Sequence, residues 1–525
     1  MKKQTRRDFL ACSGIGALGM AAGLPTMVSS QPSKISHTPE TSGIAGNSIS
    51  TGNDASTDKD TYLFTRKIPL DDTYDLVVAG GGPAGTAAAV CAARLGAKVL
   101  LVEATGCLGG TGTSGLVTAF DPMANGEQMM VGGLMREIVE TLYQRNFLQP
   151  GIDPDSWRKK LHVWTPFQVE GYKLILDELA VAASVHVQFF TKVIDVDADV
   201  RKGKVNGVIT NNIEGFHYIR AKTFIDGTGD AALAYLCGVK CREAGVDTPR
   251  IMPPTLCSLF AGVDWPEFRK KNQTQALYQA IEEGHFTQKD RHFPGMSKVN
   301  HTVGYLNGGH IYNLNALRCK DLTDGMIFGR KLAQEYLAFF KKYMPGCENL
   351  QHVVTAEIMG VRESRRIVGE YELNLDDYIA RRKFPDQIGI FCKFVDVHAY
   401  DASDAEWKRF TEESGVQVST KGELEYKAGE FYGIPYGILV PKGWTNLWVA
   451  GKTVSTDVKV QGSLRVQPAC SMMGQAAGTA AVQSIQTGQP ANDLDAGKLV
   501  NTLREAGANL PQTTLSKKMT KSITN

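Results

Sequence analysis

From Asp75 the chain reads DLVVAGGGPAGTAAAVCAARLGAKVLLVEA, and this run restricts the fold more than any other stretch of the 525 residues. Residues 75–79 read as a short strand and Gly80-x-Gly82-x-x-Gly85 as a tight turn carrying Pro83 and Ala84. Thr86 to Leu95 reads as an Ala-rich helix ended by Gly96, and Lys98 to Val102 as a second strand finishing in Glu103. The three glycines have separate tasks in such a βαβ unit. Gly80 makes the turn, Gly82 lets backbone approach a pyrophosphate, and Gly85 lets the helix pack against the strand. The helix N-terminus then faces the anion. Glu103, at the end of the second strand, suits a ribose diol and would repel a 2′-phosphate, so the pattern predicts FAD or NAD rather than NADP.

Three further segments favour FAD. Gly106-Cys107-Leu108-Gly109-Gly110-Thr111 is a second flexible turn directly after Glu103, where a longer cofactor would continue past its pyrophosphate. Phe224-Ile225-Asp226-Gly227-Thr228-Gly229-Asp230-Ala231 reads as a buried strand running into a glycine turn and a helix. Near the C-terminus, Asn446 to Gly451 is another strand entering glycine, and Gly474 to Ala481 is a helix of small residues that can only pack closely.

Taken together, VAGGGPAGTAAA, FIDGTGDAALA, MGVRESRRIVGEY and LWVAGKTVSTDVKVQGSLRVQPACSMMGQAAGTAA resemble the bacterial FAD-dependent oxidoreductase family over about residues 70–510. The flavin fold of that family is similar to those of glutathione reductase and the heterodisulfide reductase A subunit. The resemblance implies an α/β, three-layer, Rossmann-like FAD-binding domain in two pieces, 62–245 and 445–510, with an α+β substrate domain inserted at 246–444. It also implies non-covalent FAD. Gly80, Gly82, Gly85, Glu103, Gly109 and Gly110 would hold the ADP half. Asp226, Gly229 and Asp230 would stand on the far side of the nucleotide. Gly451, Gly462, Ser463, Arg465, Gly474, Gln475 and Ala476 would stand at the ribityl and flavin end. Relatives in the heterodisulfide reductase group carry [4Fe-4S] centres, which need about four thiolates brought together. Here the ten cysteines are scattered and no CxxC occurs, so no cluster and no metal site is expected.

A flavin carries the reaction, and the protein must place a substrate, move a proton and hold charge near the ring. His398, in Asp396-Val397-His398, resembles the segment that the family places where the substrate domain returns to the flavin, and imidazole suits acid/base work near neutral pH. Arg465, just before the last Gly- and Ala-rich helix, could offset a reduced flavin or grip a carboxylate, with a structural ion pair as the alternative. Tyr432 and Tyr436, in FYGIPYG, are pocket candidates, although aromatic residues beside Gly and Pro commonly pack in turns. Arg362 and Arg366 fall on one face at helical spacing with Glu363 beside them, a salt-bridged helix by pattern. Only the resemblance keeps Arg362 as a substrate or flavin contact.

Two functions compete. The first is hydride transfer between a small organic substrate and flavin N5, with His398 as acid/base. The second is an electron-transfer subunit serving an iron–sulfur or quinone partner. The inserted domain is larger than a carrier needs, which favours the first.

Residues 1–30 hold Arg6-Arg7-Asp8-Phe9-Leu10 followed by a small, weakly apolar stretch. This grammar resembles a twin-arginine export signal and predicts a periplasmic protein handed to that machinery. Residues 31–61, rich in Ser, Thr, Gly and Asn, read as a disordered linker, and 511–525 as a tail. A net charge of +2 gives no basic surface for nucleic acid. No HExxH, GxSxG or Walker A sequence occurs. Residues 324–343 read as an amphipathic helix capped by Asp321 or Thr323, and Gly-rich turns surround His301 to Asn315.

Overall fold

The computed structural model describes residues 62–511 except 154–155, 158–159 and 249. The expected signal (1–30), linker (31–61) and all of the tail but its first residue lie outside the described residues.

The βαβ unit forms, with one change. Its strands are Leu76–Ala79 and Val99–Val102, and its helix runs Pro83–Arg94, a turn earlier than the Thr86 start expected. Proline at the first helical position loses no hydrogen bond, because that N–H has no partner inside a helix, and its ring fixes φ near the helical value. Ala84 and Gly85 therefore lie inside the first turn. Gly96, in the left-handed region, closes the far end.

These strands form the centre of a five-stranded parallel sheet. Its order is Leu447–Val449, Thr223–Asp226, Leu76–Ala79, Val99–Val102, His186–Gln188. The edge strand Leu447–Val449 joins from far along the chain, so the sheet is discontinuous, with the intervening residues inserted. Alternate side chains leave the sheet on opposite faces. Leu76, Val78, Val99 and Leu101 pack under Pro83–Arg94 and the closing helix Gln467–Thr487. Val77, Ala79, Leu100 and Val102 pack with Val205, Val208 and Ile219 of an antiparallel meander, Lys192–Asp199, Lys204–Asn212 and Gly215–Arg220. Helices, parallel sheet and meander make the three layers.

The two helices on the sheet nearly touch. A Cβ on Gly474 would stand 2.0 Å from the Ala84 carbonyl oxygen, and one on Gly478 2.3 Å from that of Ala88. The small-residue run read from the sequence is thus a backbone-to-backbone contact.

The inserted part holds an antiparallel sheet ordered Gly295–Lys298, Val303–Asn307, Ser258–Ala261, Gln351–Thr355. The helices Gln273–Glu282 and Cys319–Tyr343 cover it through an aromatic core that includes Phe260, Phe339 and Phe340. The long helix begins five residues before the expected 324, at Cys319, and its N-cap is Arg318 without a side-chain bond, so neither Asp321 nor Thr323 caps it. Asp321 instead accepts from the Asn315 amide at 3.0 Å. The Arg362–Arg366 segment is not a helix: Arg365–Ile367 is a strand paired with Cys241–Glu243. This pairing sends alternate side chains to opposite sides. Arg366 meets Asp247 at 2.5 Å, and Arg365 meets Glu243 at 3.2 Å.

Candidate active site

Ligands of open parallel sheets lie beyond the carboxyl ends of the strands, and the fingerprint residues gather there. Gly80, at φ +91, is pressed against Gly227 and Thr228, where a Cβ would come within 2.7 Å of backbone. A Cβ on Gly85 would stand 1.8 Å from the Gly80 carbonyl oxygen, so glycine is required where helix meets turn. Gly82 is different: its Cβ would meet only the Gly227 oxygen, at 3.8 Å. Gly110, at φ +49, faces it, its Cβ position 3.0 Å from the Gly82 Cα. Gly109, at φ +98, donates its amide to Gly81 at 2.8 Å and ties the second glycine turn to the first. The helix behind Gly82 has no side-chain cap. Bare backbone on two loops and uncapped helix amides are what a pyrophosphate requires.

Glu103 is buried at the strand end. Its Oε2 accepts from the Gly81 amide at 2.6 Å, and its Oε1 accepts from the Thr105 amide and hydroxyl. A carboxylate offers about four lone-pair directions, so a ribose diol can still donate to it. Further along, the Thr118 hydroxyl and Gln467 Oε1 are buried and unpartnered, while Gln467 Nε2 donates to the carbonyls of Val117 and Ala119. Glycine cradle, strand-end acid and polar atoms still wanting partners fit FAD.

Other expected cofactor residues act on the scaffold. Asp226 is fully buried and spends its carboxylate on Thr228 and the Ala234 amide, fixing the third glycine turn. Gly229, at φ +79, continues that turn, and Asp230 accepts from Ser364 at 2.7 Å and Lys452 at 3.3 Å. Gln475 accepts from the Leu134 amide and donates to the Ala506 carbonyl, bracing helices, and Ala476 is core. Gly451, at φ +99, follows the edge strand beside Ala84.

The structure brings His398 and Arg465 together. Arg465 Nη2 donates to the Asp396 carbonyl at 2.9 Å and its carboxylate at 3.0 Å. Gly462 makes room, since a Cβ there would stand 3.0 Å from the Asp396 oxygen. Ser463 donates to the Lys393 carbonyl at 2.6 Å and accepts from Tyr432, so Tyr432 supports the same loop. Tyr436 is not brought to the cluster: its hydroxyl donates to the Ala491 carbonyl and accepts from Trp448, a core tyrosine with both bonds spent.

The sequence reading missed Asp290 and His310, which complete a hydrogen-bonded chain, and His292, whose ring stacks on His398. Arg362 Nε lies 3.1 Å from His398 Nε2, His398 Nδ1 lies 2.9 Å from His310 Nε2, and His310 Nδ1 lies 3.0 Å from Asp290 Oδ2. A guanidinium can only donate. His398 Nε2 therefore accepts, its Nδ1–H donates to His310, and the His310 Nδ1–H donates to Asp290. Tyr312 and the His310 amide also donate to Asp290. These bonds select one tautomer of each imidazole. Burial first, then the Arg362 charge and the neighbouring His292, hold His398 well below its ordinary value, against Asp396. Burial pushes Asp290 up, but the His310 ring and its bonds outweigh this and hold the carboxyl at about 2. Asp396 likewise lies well below the usual range, its burial outweighed by Arg465 and His398.

The ring nitrogens of His292, His310 and His398 lie within 4.8 Å of one another, a spacing that can hold a metal. Their orientation opposes it. His292 stacks on His398 at 4.3 Å with the planes only 25° apart, so their in-plane lone pairs cannot meet at one ion. The lone pairs of His310 and His398 are already taken.

The family described as FAD dependent oxidoreductase matches residues 75–505. Dihydrolipoyl dehydrogenase of Trypanosoma brucei brucei is 53% identical over 49 residues, 9% of this chain and 10% of that protein. The mitochondrial dihydrolipoyl dehydrogenase of Schizosaccharomyces pombe is 49% identical over 49 residues, again 9% and 10%. The chain thus spans about a tenth of the length of these curated relatives. A solved geranylgeranyl bacteriochlorophyll reductase-like protein from Thermoplasma acidophilum aligns at TM-score 0.39 and 14% identity, over 84% of this chain and 85% of that one. A p-nitrophenol 4-monooxygenase from Pseudomonas putida aligns at 0.37 and 11%, over 84% and 89%. With the family match covering most of the chain and the glycine cradle in place, the protein belongs to the FAD-dependent oxidoreductase family.

Proposed function

We propose that the protein transfers a hydride between a small organic substrate and non-covalently bound FAD, with His398 as the proton acceptor or donor. Bound FAD supplies the two-electron acceptor or donor at flavin N5. Gly80, Gly82, Gly85, Glu103 and Gly110 would hold its ADP half, and Gly451 with the start of Gln467–Thr487 its other end. The observation that carries the reading is the chain Asp290–His310–His398, anchored to the flavin fold through Gln461, whose amide donates to the Arg362 carbonyl at 2.8 Å. Its bonds fix the His398 lone pair at Nε2. A proton taken up there can be matched by transfer of the Nδ1 proton to His310 and of the His310 proton toward Asp290, so no isolated buried cation is left. Arg465, paired with Asp396, holds the loop that carries His398 and supplies positive charge beside it.

The test is anaerobic mixing of the FAD-loaded protein with alcohols, amines and hydroxy acids while the flavin band is followed. The reading expects bleaching by a small molecule alone, slowed at least tenfold in His398→Gln with FAD content unchanged. Bleaching only when a protein partner is added would favour an electron-transfer subunit. We further propose that residues 1–30 direct export to the periplasm by the twin-arginine route. Replacing Arg6 and Arg7 with Lys should leave the protein in the cytoplasmic fraction.

A further inference from the structure

Arg362 is buried and makes no ion pair among the described residues. Its Nη1 spends both hydrogens, on the Pro253 carbonyl at 2.7 Å and the Thr255 hydroxyl at 2.9 Å, and its Nε spends one on His398. All three acceptors are neutral. Nη2 keeps both hydrogens unpaired among the described residues. The nearby carboxylates are committed elsewhere: Asp396 to Arg465, and Asp290 to His310 and Tyr312. The Arg465 guanidinium holds the Asp396 carboxylate and, as a like charge, repels that of Arg362. Burial first and then Arg465 pull the Arg362 pKa down to about 10. Two further polar atoms beside it are buried without partners, Arg465 Nε and His292 Nδ1, the latter on the ring that stacks on His398. A buried cation is tolerated when an anion completes it.

We propose that Arg362 anchors a carboxylate of the substrate beside His398, which makes the substrate of this enzyme a small organic acid. This rests on the flavoenzyme reading above and adds the substrate class to it. The free Nη2 lies on the same edge of the guanidinium as Nε, the edge that grips a carboxylate with two parallel bonds. A carboxylate seated there competes with His398 for the Nε–H. Anion docking thus frees the Nε2 lone pair, and the base is uncovered when substrate is present.

The test is calorimetric titration of the FAD-loaded protein with acetate and benzoate, and with the neutral acetamide and benzamide of the same shape. FAD content is measured on the same samples, so a failure of the flavin reading would appear there and not in the anion affinity. The proposal expects saturable binding of at least one carboxylate, with its amide at least tenfold weaker. It also expects at least a tenfold loss in Arg362→Gln and partial recovery in Arg362→Lys. Equal binding of acid and amide to the wild-type protein would overturn it, a comparison that needs no variant to fold. A folded Arg362→Gln protein with unchanged carboxylate affinity but a lower flavin midpoint potential would assign the guanidinium to the flavin and overturn it as well.

Discussion

Gly82 and Gly85 stand three residues apart in one motif, yet the structure separates the effects of giving each a methyl group. Gly82 has φ −65 and ψ −176, ordinary values for any residue, and its Cβ position meets only one atom, at 3.8 Å. In the cofactor-free protein, Gly82→Ala gains about 0.4–1 kcal/mol from a less flexible unfolded chain. It loses a similar amount as a poorer N-cap, so the net change is about zero. The methyl would, however, project into open space, with only the Gly227 oxygen near it at 3.8 Å, where the cradle would seat the pyrophosphate. At about 1.4 kcal/mol for each tenfold, weakening FAD by one to two orders of magnitude corresponds to about 1.4–2.8 kcal/mol. Gly85→Ala puts its methyl 1.8 Å from a backbone oxygen that cannot swing away. It should destabilise the protein by about 1–3 kcal/mol with or without FAD. The assay pairs urea titration of both cofactor-free variants with FAD-to-protein ratios after dialysis. Gly82→Ala should match wild type in urea and lose FAD, while Gly85→Ala should fail in both. Full FAD occupancy in a folded Gly82→Ala protein would refute the cradle.

Further outcomes follow from the packing and the titrating groups. His292, with an ordinary value of 6.5, is held at about 3, chiefly by burial and then by His310. Between pH 6.5 and about 4 the unfolded chain binds a proton there that the folded chain does not, so stability falls as pH falls, by up to about 1.4 kcal/mol per pH unit. His292→Phe should remove this share, and urea titrations at pH 7.0 and 5.5 should show wild type losing about 1 kcal/mol more than the variant. Asp290→Ala strips the acceptor from His310 and Tyr312 and should cost about 3 kcal/mol or more, seen as a lower Tm, while Asp290→Asn keeps an acceptor and should recover part of it. Gly478→Leu should force the two sheet-covering helices apart and lower both Tm and FAD retention, by about 1–3 kcal/mol in stability.

The glycine fingerprint was legible because its physics is local. A turn, a close approach and a strand-end acid are each written within 30 residues. The closing helix was legible for a related reason, since Gly474 and Gly478 leave nothing but backbone to pack. The helix start was misplaced because Pro83 can open a helix directly from a glycine turn. Arg362–Arg366 misled because charged residues at helical spacing carry the same signature on a strand once each finds its own partner, as Arg365 and Arg366 do. The histidine chain was half legible. Asp396-x-His398 stood out beside the flavin-end motifs, but Asp290, His292 and His310 come from irregular loops with no periodicity to mark them. Only the tertiary fold brings residues 88 positions apart within 2.9 Å.

The central claim is tested most directly by the visible spectrum of the purified protein, recorded before and after acid precipitation with iron assayed on the same sample. The account predicts a flavin spectrum that acid releases to the supernatant as FAD, near one per chain, without stoichiometric iron. A colourless protein that takes up no FAD would contradict the cofactor assignment, and a brown protein with stoichiometric iron would contradict the reading of its cysteines.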